Sequence, residues 1–140
     1  MAFNTKAQLQ ELKTLVEGVA GVQKVQIGVP ESLPNRVCAF ITMGPQPTTD
    51  KNAGLLQCLA QYQVTFAYKV AGAEDAAELA LADILDGFKA AFFAARKTNG
   101  VLKGMQLDLT LANAPQYLAV AGQEFRQYPV AVTAKQEANS

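Results

Sequence analysis

One segment limits what this chain can fold into more than any other. From Leu56 to Val70, every second position is apolar or aromatic: Leu56, Cys58, Ala60, Tyr62, Val64, Phe66, Tyr68 and Val70. Between them lie Gln57, Leu59, Gln61, Gln63, Thr65, Ala67 and Lys69, a second face that is largely polar. A period of two held for 15 residues describes a strand with one buried face, because successive side chains of extended backbone point to opposite sides. At ~3.3 Å per residue such a strand is about 50 Å long. A globule of this chain length is only about 40 Å across. Unless a bulge folds the strand back, one end projects beyond its own domain. A projecting edge invites pairing with another chain.

The elements around that strand follow from the same kind of pattern. Thr5-Lys6-Ala7-Gln8 fits a capping box. Leu9, Leu12, Val16 and Val19 follow at helical spacing, and Gly18 and Gly21 are placed to end the helix through a left-handed cap. Val25, Ile27 and Val29 alternate as a short strand, Pro30 and Pro34 bracket a turn, and Arg36 to Met43 reads as a second, more buried strand. Gly44 to Asn52 contains no apolar residue and reads as a loop. A loop of that length inside a compact domain is either functional or disordered.

Gly72 ends the long strand, and Ala73 to Arg96 forms a long helix. Winding it at 100° per residue gathers Ala77, Leu81, Ile84, Leu85, Phe88, Phe92 and Ala95 into one stripe that should cover the sheet. Leu79 and Phe93 fall on the opposite face, beside Ala82, Asp86 and Ala90. They are either scattered exposed apolar residues, which are common, or a shallow patch for a neighbouring subunit. Asn99-Gly100 breaks the helix. Met105, Leu107, Leu109 and Leu111 give a half-buried strand, and Asn113-Ala114-Pro115 turns the chain. Tyr128, Val130, Val132 and Ala134 define a last strand, in which Pro129 calls for an edge or bulge and Phe125 is out of phase. The expectation is a single α+β domain over residues 1–135, with 136–140 a disordered tail. Its mixed, mostly antiparallel sheet of about four to five strands is packed by the long helix and the shorter N-terminal one.

Composition narrows the function classes. Lys plus Arg and Asp plus Glu both number 12, so the formal net charge is zero. A general nucleic-acid binder needs excess cations to displace counterions from phosphates, and this balance argues against one. It also leaves little self-repulsion between copies. No basic, apolar leader opens the chain, and no apolar run approaches the roughly 20 residues that span a bilayer, so no membrane partner is expected. Cys38 and Cys58 are expected as buried free thiols in a reducing compartment, although a disulfide between their two strands is geometrically possible.

Histidine is absent, which removes Ser-His-Asp and Cys-His catalysis and most zinc sites. Neither cysteine sits in a CxxC pair, and no phosphate-binding glycine loop occurs. Glu74, Asp75 and Glu78, with Asp83 and Asp86 beyond, form the strongest carboxylate cluster. The charge preference of a helix start accounts for the first three. No catalytic residue, cofactor or metal site is expected.

An amphipathic first helix leads into strands and a Pro/Thr loop. A long strand ending in Gln63-Val64-Thr65-Phe66-Ala67-Tyr68-Lys69-Val70 precedes an Ala-rich helix containing Ala80-Leu81-Ala82-Asp83-Ile84-Leu85. A hairpin then closes in Tyr128-Pro129-Val130-Ala131-Val132-Thr133. From about Leu9 to Lys135 this order and texture resemble the tail-terminator (tail-completion) proteins of long-tailed bacteriophages, and more loosely their neck and head–tail connector relatives. The resemblance implies a non-enzymatic virion subunit, assembled in the host bacterial cytoplasm as a hexameric ring. The ring would cap the tail tube, end its polymerisation and meet the head connector, with DNA only passing through the lumen.

On that reading, subunits join through the long strand, the Pro/Thr loop and the outer face of the long helix. The candidate interface residues are Pro47, Asp50, Lys51, Gln61, Gln63, Leu79, Asp86, Phe93 and Arg126. Asp50 and Lys51 would equally serve to solvate a loop. The other class of function open to such a chain is a monomeric module that binds a small molecule or peptide between sheet and helix.

Overall fold

The computed structural model describes residues 3–29, 37–52, 55–69, 74–98, 102, 105–107, 116–120 and 123–139. Its backbone is an antiparallel ribbon of two long strands, β4 (Leu55–Lys69) and β7 (Gln123–Asn139). They pair without a register shift from Leu55 opposite Asn139 to Lys69 opposite Phe125. The period of two therefore persists through the whole strand, and no bulge folds it back.

Along each outer edge of the ribbon two short strands follow one another. On the β4 side, β2 (Cys38–Met43) covers Tyr62 to Ala67, and β3 (Thr48–Asn52) covers Leu55 to Cys58. On the β7 side, β6 (Gln116–Val120) covers Gln123 to Gln127, and β5 (Met105–Leu107) covers Val132 to Ala134. β1 (Lys24–Ile27) adds to β2 as the parallel pair, so the sheet is mixed but mostly antiparallel. That makes seven strands among the described residues rather than four or five. A 15-residue strand offers an edge long enough for two ordinary strands end to end.

The segment expected as a loop, Gly44 to Asn52, is the clearest case. Thr48 to Asn52 pairs with β4, with a register shift between Asp50 and Asn52. The four residues before it are stitched to the same edge. Gly44 N–H donates to the Gln61 carbonyl at 2.8 Å, Leu59 N–H to the Pro47 carbonyl at 3.0 Å, and the Gln46 side-chain amide to Gln61 O at 2.8 Å. An outermost strand can be wholly polar, because neither of its faces has to join the core. Lack of apolar residues was therefore a poor sign of a loop.

Three further expectations bear on β7, and two of them are corrected. Phe125 is not displaced by a bulge: the register stays constant, and Phe125 lies on the face opposite Tyr128, where it is buried. Pro129 meets the expectation of a local edge: among the described residues it falls between the positions paired to β6 and to β5, where a residue without an N–H is easily tolerated. Residues up to Asn139 continue the strand instead of fraying, and Gln136 is buried. The expected turns at Pro30 to Pro34 and Asn113 to Pro115, the helix break at Asn99-Gly100, and Leu109 and Leu111 lie outside the described residues.

Two helices cover one face of the sheet. Helix α2 (Glu74–Thr98) buries the expected stripe: Ala77, Leu81, Ile84, Leu85, Phe88 and Phe92 are in the core, with Ala95 at its margin. Phe88 meets Phe66 edge-on at 5.4 Å between ring centres. Helix α1 (Thr5–Glu17) contributes Leu12 and Val16. Asn4 rather than Thr5 is its N-cap, and no side chain caps it. The capping box fails because Gln8 is needed elsewhere. It is buried, and its Oε1 accepts the Tyr62 hydroxyl and the Gln136 amide, each at 2.5 Å.

At the C-terminal end of α1, Gly18 stays right-handed (φ −81°). Gly21 instead takes the left-handed conformation at φ 95°. A Cβ there would come within 3.3 Å of Ile84 Cγ1, so glycine also lets this turn approach α2.

The three-way bond fixes α1 to both long strands. Gln8→Ala should lower stability by about 1–3 kcal/mol, because it strands a buried hydroxyl and a buried amide. Tyr62→Phe removes one donor and leaves the Gln136 bond, so it should cost less. Urea denaturation of the two variants and wild type checks the order.

Candidate functional site

The nine residues expected at an interface do not converge on one patch. Pro47 and Asp50 are exposed on the strand edge formed by β3, and Lys51 lies in the same strand. Gln61 and Gln63 are half-buried on the face of β4 turned away from the helices. That face is not simply polar and open. Further along it Thr65 and Ala67 are buried, with Cys38 and Phe40 on β2 and Phe125, Gln127, Ala131 and Thr133 on β7. The Gln63 amide makes a long 3.5 Å contact to the Thr65 hydroxyl. Gln63 therefore belongs to the body of the sheet.

Arg126 is also used within the chain. Its guanidinium pairs with the Glu78 carboxylate of α2, tying the early part of β7 to the helix.

The outer face of α2 is open. Leu79 is 70% exposed and Phe93 is 62% exposed, and Ala82, Asp86 and Ala90 between them are exposed too. Leu79, Asp86 and Phe93 recur every seven residues, so they lie nearly on one line along the helix. Beside Phe93 is a groove of about 310 Å³ lined by Phe92, Phe93, Arg96, Gln106 and Leu107. The Arg96 guanidinium lies over the Phe92 ring, 5.7 Å from its centre. Sequence reasoning found Phe93 but not the groove. Gln106 and Leu107 belong to β5, and nothing in their own pattern places them against the end of α2.

A second concavity lies toward the earlier part of α2. It is a cleft of about 940 Å³ between the turn after α1, the start of β2 and the middle of α2. Ala20, Gly21, Val22, Ala80, Ile84 and Gly87 give it small or apolar walls, and Tyr68 and Asp83 add a hydroxyl and a carboxylate.

The chain matches no family model and no curated protein.

No group of three or more His, Cys, Asp or Glu residues among the described residues could hold a metal ion. No helix among them is long and apolar enough to cross a membrane. Both cysteines are buried free thiols on opposite faces of the sheet: Cys38 pairs with Ala67, whereas Cys58 shares the Tyr62 face. Burial pushes the Cys38 thiol up to about 11, with nearby Lys24 opposing the shift. A thiol so placed is mostly protonated at neutral pH and a poor nucleophile. Burial likewise pushes the Tyr62 phenol above its ordinary value.

Both shifts have the same sign in pH linkage. A folded-state pKa raised above the unfolded value stabilises the fold below the unfolded pKa, and that contribution is lost as pH rises. Stability should therefore fall from about pH 9 upward, through the Cys38 value of about 11. Cys38→Ser should flatten the first part of that fall. Urea titrations between pH 7 and 11 read it, and native Cys38 should resist a thiol reagent at pH 8 until the protein unfolds.

Proposed function

We propose that this chain is a non-enzymatic subunit of a homo-oligomeric ring, and that the ring caps a phage tail tube. The observation that carries this reading is the unbroken β4–β7 ladder, 15 residue pairs long. At ~3.3 Å per residue it runs about 50 Å, against a body about 40 Å across. Toward its Leu55–Asn139 end, Leu56 and Leu59 are 38% and 41% exposed on opposite faces, and β3 offers an edge paired only to β4 among the described residues. A ribbon with exposed leucines and an open edge is suited to pair with another copy.

The mechanism is steric. A closed ring of heterologous contacts leaves no free end of its own. Seated on the last ring of tube protein, it covers the surface onto which the next tube subunit would add. Its far side is then free to meet the head–tail connector, and DNA passes through the lumen without sequence readout. A formal net charge of zero suits close packing of identical copies. The order and texture of the elements, which resemble tail terminators, supply the hexamer and the tail.

The 940 Å³ cleft favours a second reading, a monomer that holds a small ligand between α2 and the turn after α1. Absolute mass in solution separates the two. Light scattering over a dilution series should give about 89 kDa, six times the 14.9 kDa chain, alone or on addition of tail tubes. A strict monomer that ignores tubes, but melts higher with a small ligand, would replace the ring by the binding module.

A further inference from the structure

The exposed line along α2 has unlike ends. Near its start Leu79 is 70% exposed. Near its end is the 310 Å³ groove, with Phe92 and Leu107 as apolar walls, Phe93 at its mouth, and Arg96 and Gln106 as polar lining. Fourteen residues at 1.5 Å rise put Leu79 and Phe93 about 21 Å apart. A leucine cannot reach the groove of its own helix, but it can enter that of another copy.

Charge follows the same division. Every acidic residue of α2 precedes Gly87, and every basic one, Lys89, Arg96 and Lys97, follows it. The helix dipole accounts for charges in the first and last turns, but not for Asp83, Asp86 and Lys89 in the middle. The result is an apolar knob on an acidic half and an apolar notch on a basic half. A two-fold axis through the middle of α2 would also set acid against base, but it would put Asp86 against Asp86 at its centre and close at two copies. A ring needs the head-to-tail arrangement, which sets acid against base without that clash.

We infer that Leu79 of one copy docks into the Phe92–Phe93–Leu107 notch of the next, with the Asp83–Asp86 side of one helix facing the Lys89–Lys97 side of the other. The contact rests on the ring reading for its head-to-tail sense and its closure. It is directional, so it propagates from copy to copy, and ring geometry decides where it stops. Ala82 and Ala90, exposed between the two ends, leave room for the close approach.

Two one-sided variants test this. Leu79→Glu removes the knob and keeps the notch, whereas Phe93→Glu spoils the notch and keeps the knob. Both side chains are exposed, so melting temperatures should match wild type. Each variant alone should self-associate at least about tenfold more weakly, the scale of one well-buried leucine. Mixed together, they should form a 1:1 complex and nothing larger, because the one intact knob meets the one intact notch. Sedimentation velocity on the separate and mixed proteins reads this.

Reversing both halves gives a second test. Asp83→Lys with Asp86→Lys should weaken assembly, and adding Lys89→Glu with Lys97→Glu should restore it. Wild-type rings with variants that assemble equally well would overturn the knob and notch while leaving the ring reading in place. A wild type that stays monomeric with tubes, and variants that form no mixed complex, would overturn both.

Discussion

Everything in this fold is referred to the hydrogen-bond ladder between β4 and β7. It holds one register over 15 pairs, and it sets the Cys58, Ala60, Tyr62, Val64 and Phe66 face beside Val130, Val132 and Ala134. A slip of one residue would turn that whole set away from the helices. The short strands depend on the ladder as well. β2 and β3 divide one outer edge and β6 and β5 the other, and a strand of three to six residues has little stability without a long partner.

The helices are attached to this ribbon in two ways. α2 is held by apolar area, with Phe88 and Phe92 fully buried and Phe88 packed on Phe66. α1 has Leu12 and Val16, but its N-terminal half is located by a buried polar junction. Gln8 accepts from Tyr62 on one long strand and Gln136 on the other. Apolar packing tolerates small slides, whereas such a junction demands one position along the helix. The remaining oxygen of Gln136 has no partner among the described residues, so the junction is incompletely satisfied.

The surface features divide in the same manner. The β3 edge owes its exposure to the length of β4, and the outer line of α2 owes its exposure to a helix that buries only one side. Arg126 has an ion-pair partner within the chain, Glu78. This makes it a clamp between β7 and the helix more than a contact for another subunit.

What the sequence alone determined is what depends on near neighbours in the chain. The alternation from Leu56 to Lys69, the Ala77 to Phe92 stripe and the outward placement of Leu79, Asp86 and Phe93 are consequences of strand and helix periods. They were legible without any knowledge of partners. The tertiary structure decided what depends on residues far apart. Thr48 to Asn52 is a strand only because β4 extends far enough to pair with it. Gln136 is held by its pairing with Cys58 on β4 and by Gln8, 128 residues away, which accepts its side-chain amide. The groove beside Phe93 exists only because β5 reaches the end of α2. Polar edge strands, buried amides and composite grooves carry no local period, because their free energy comes from contacts that the chain makes only when it is folded.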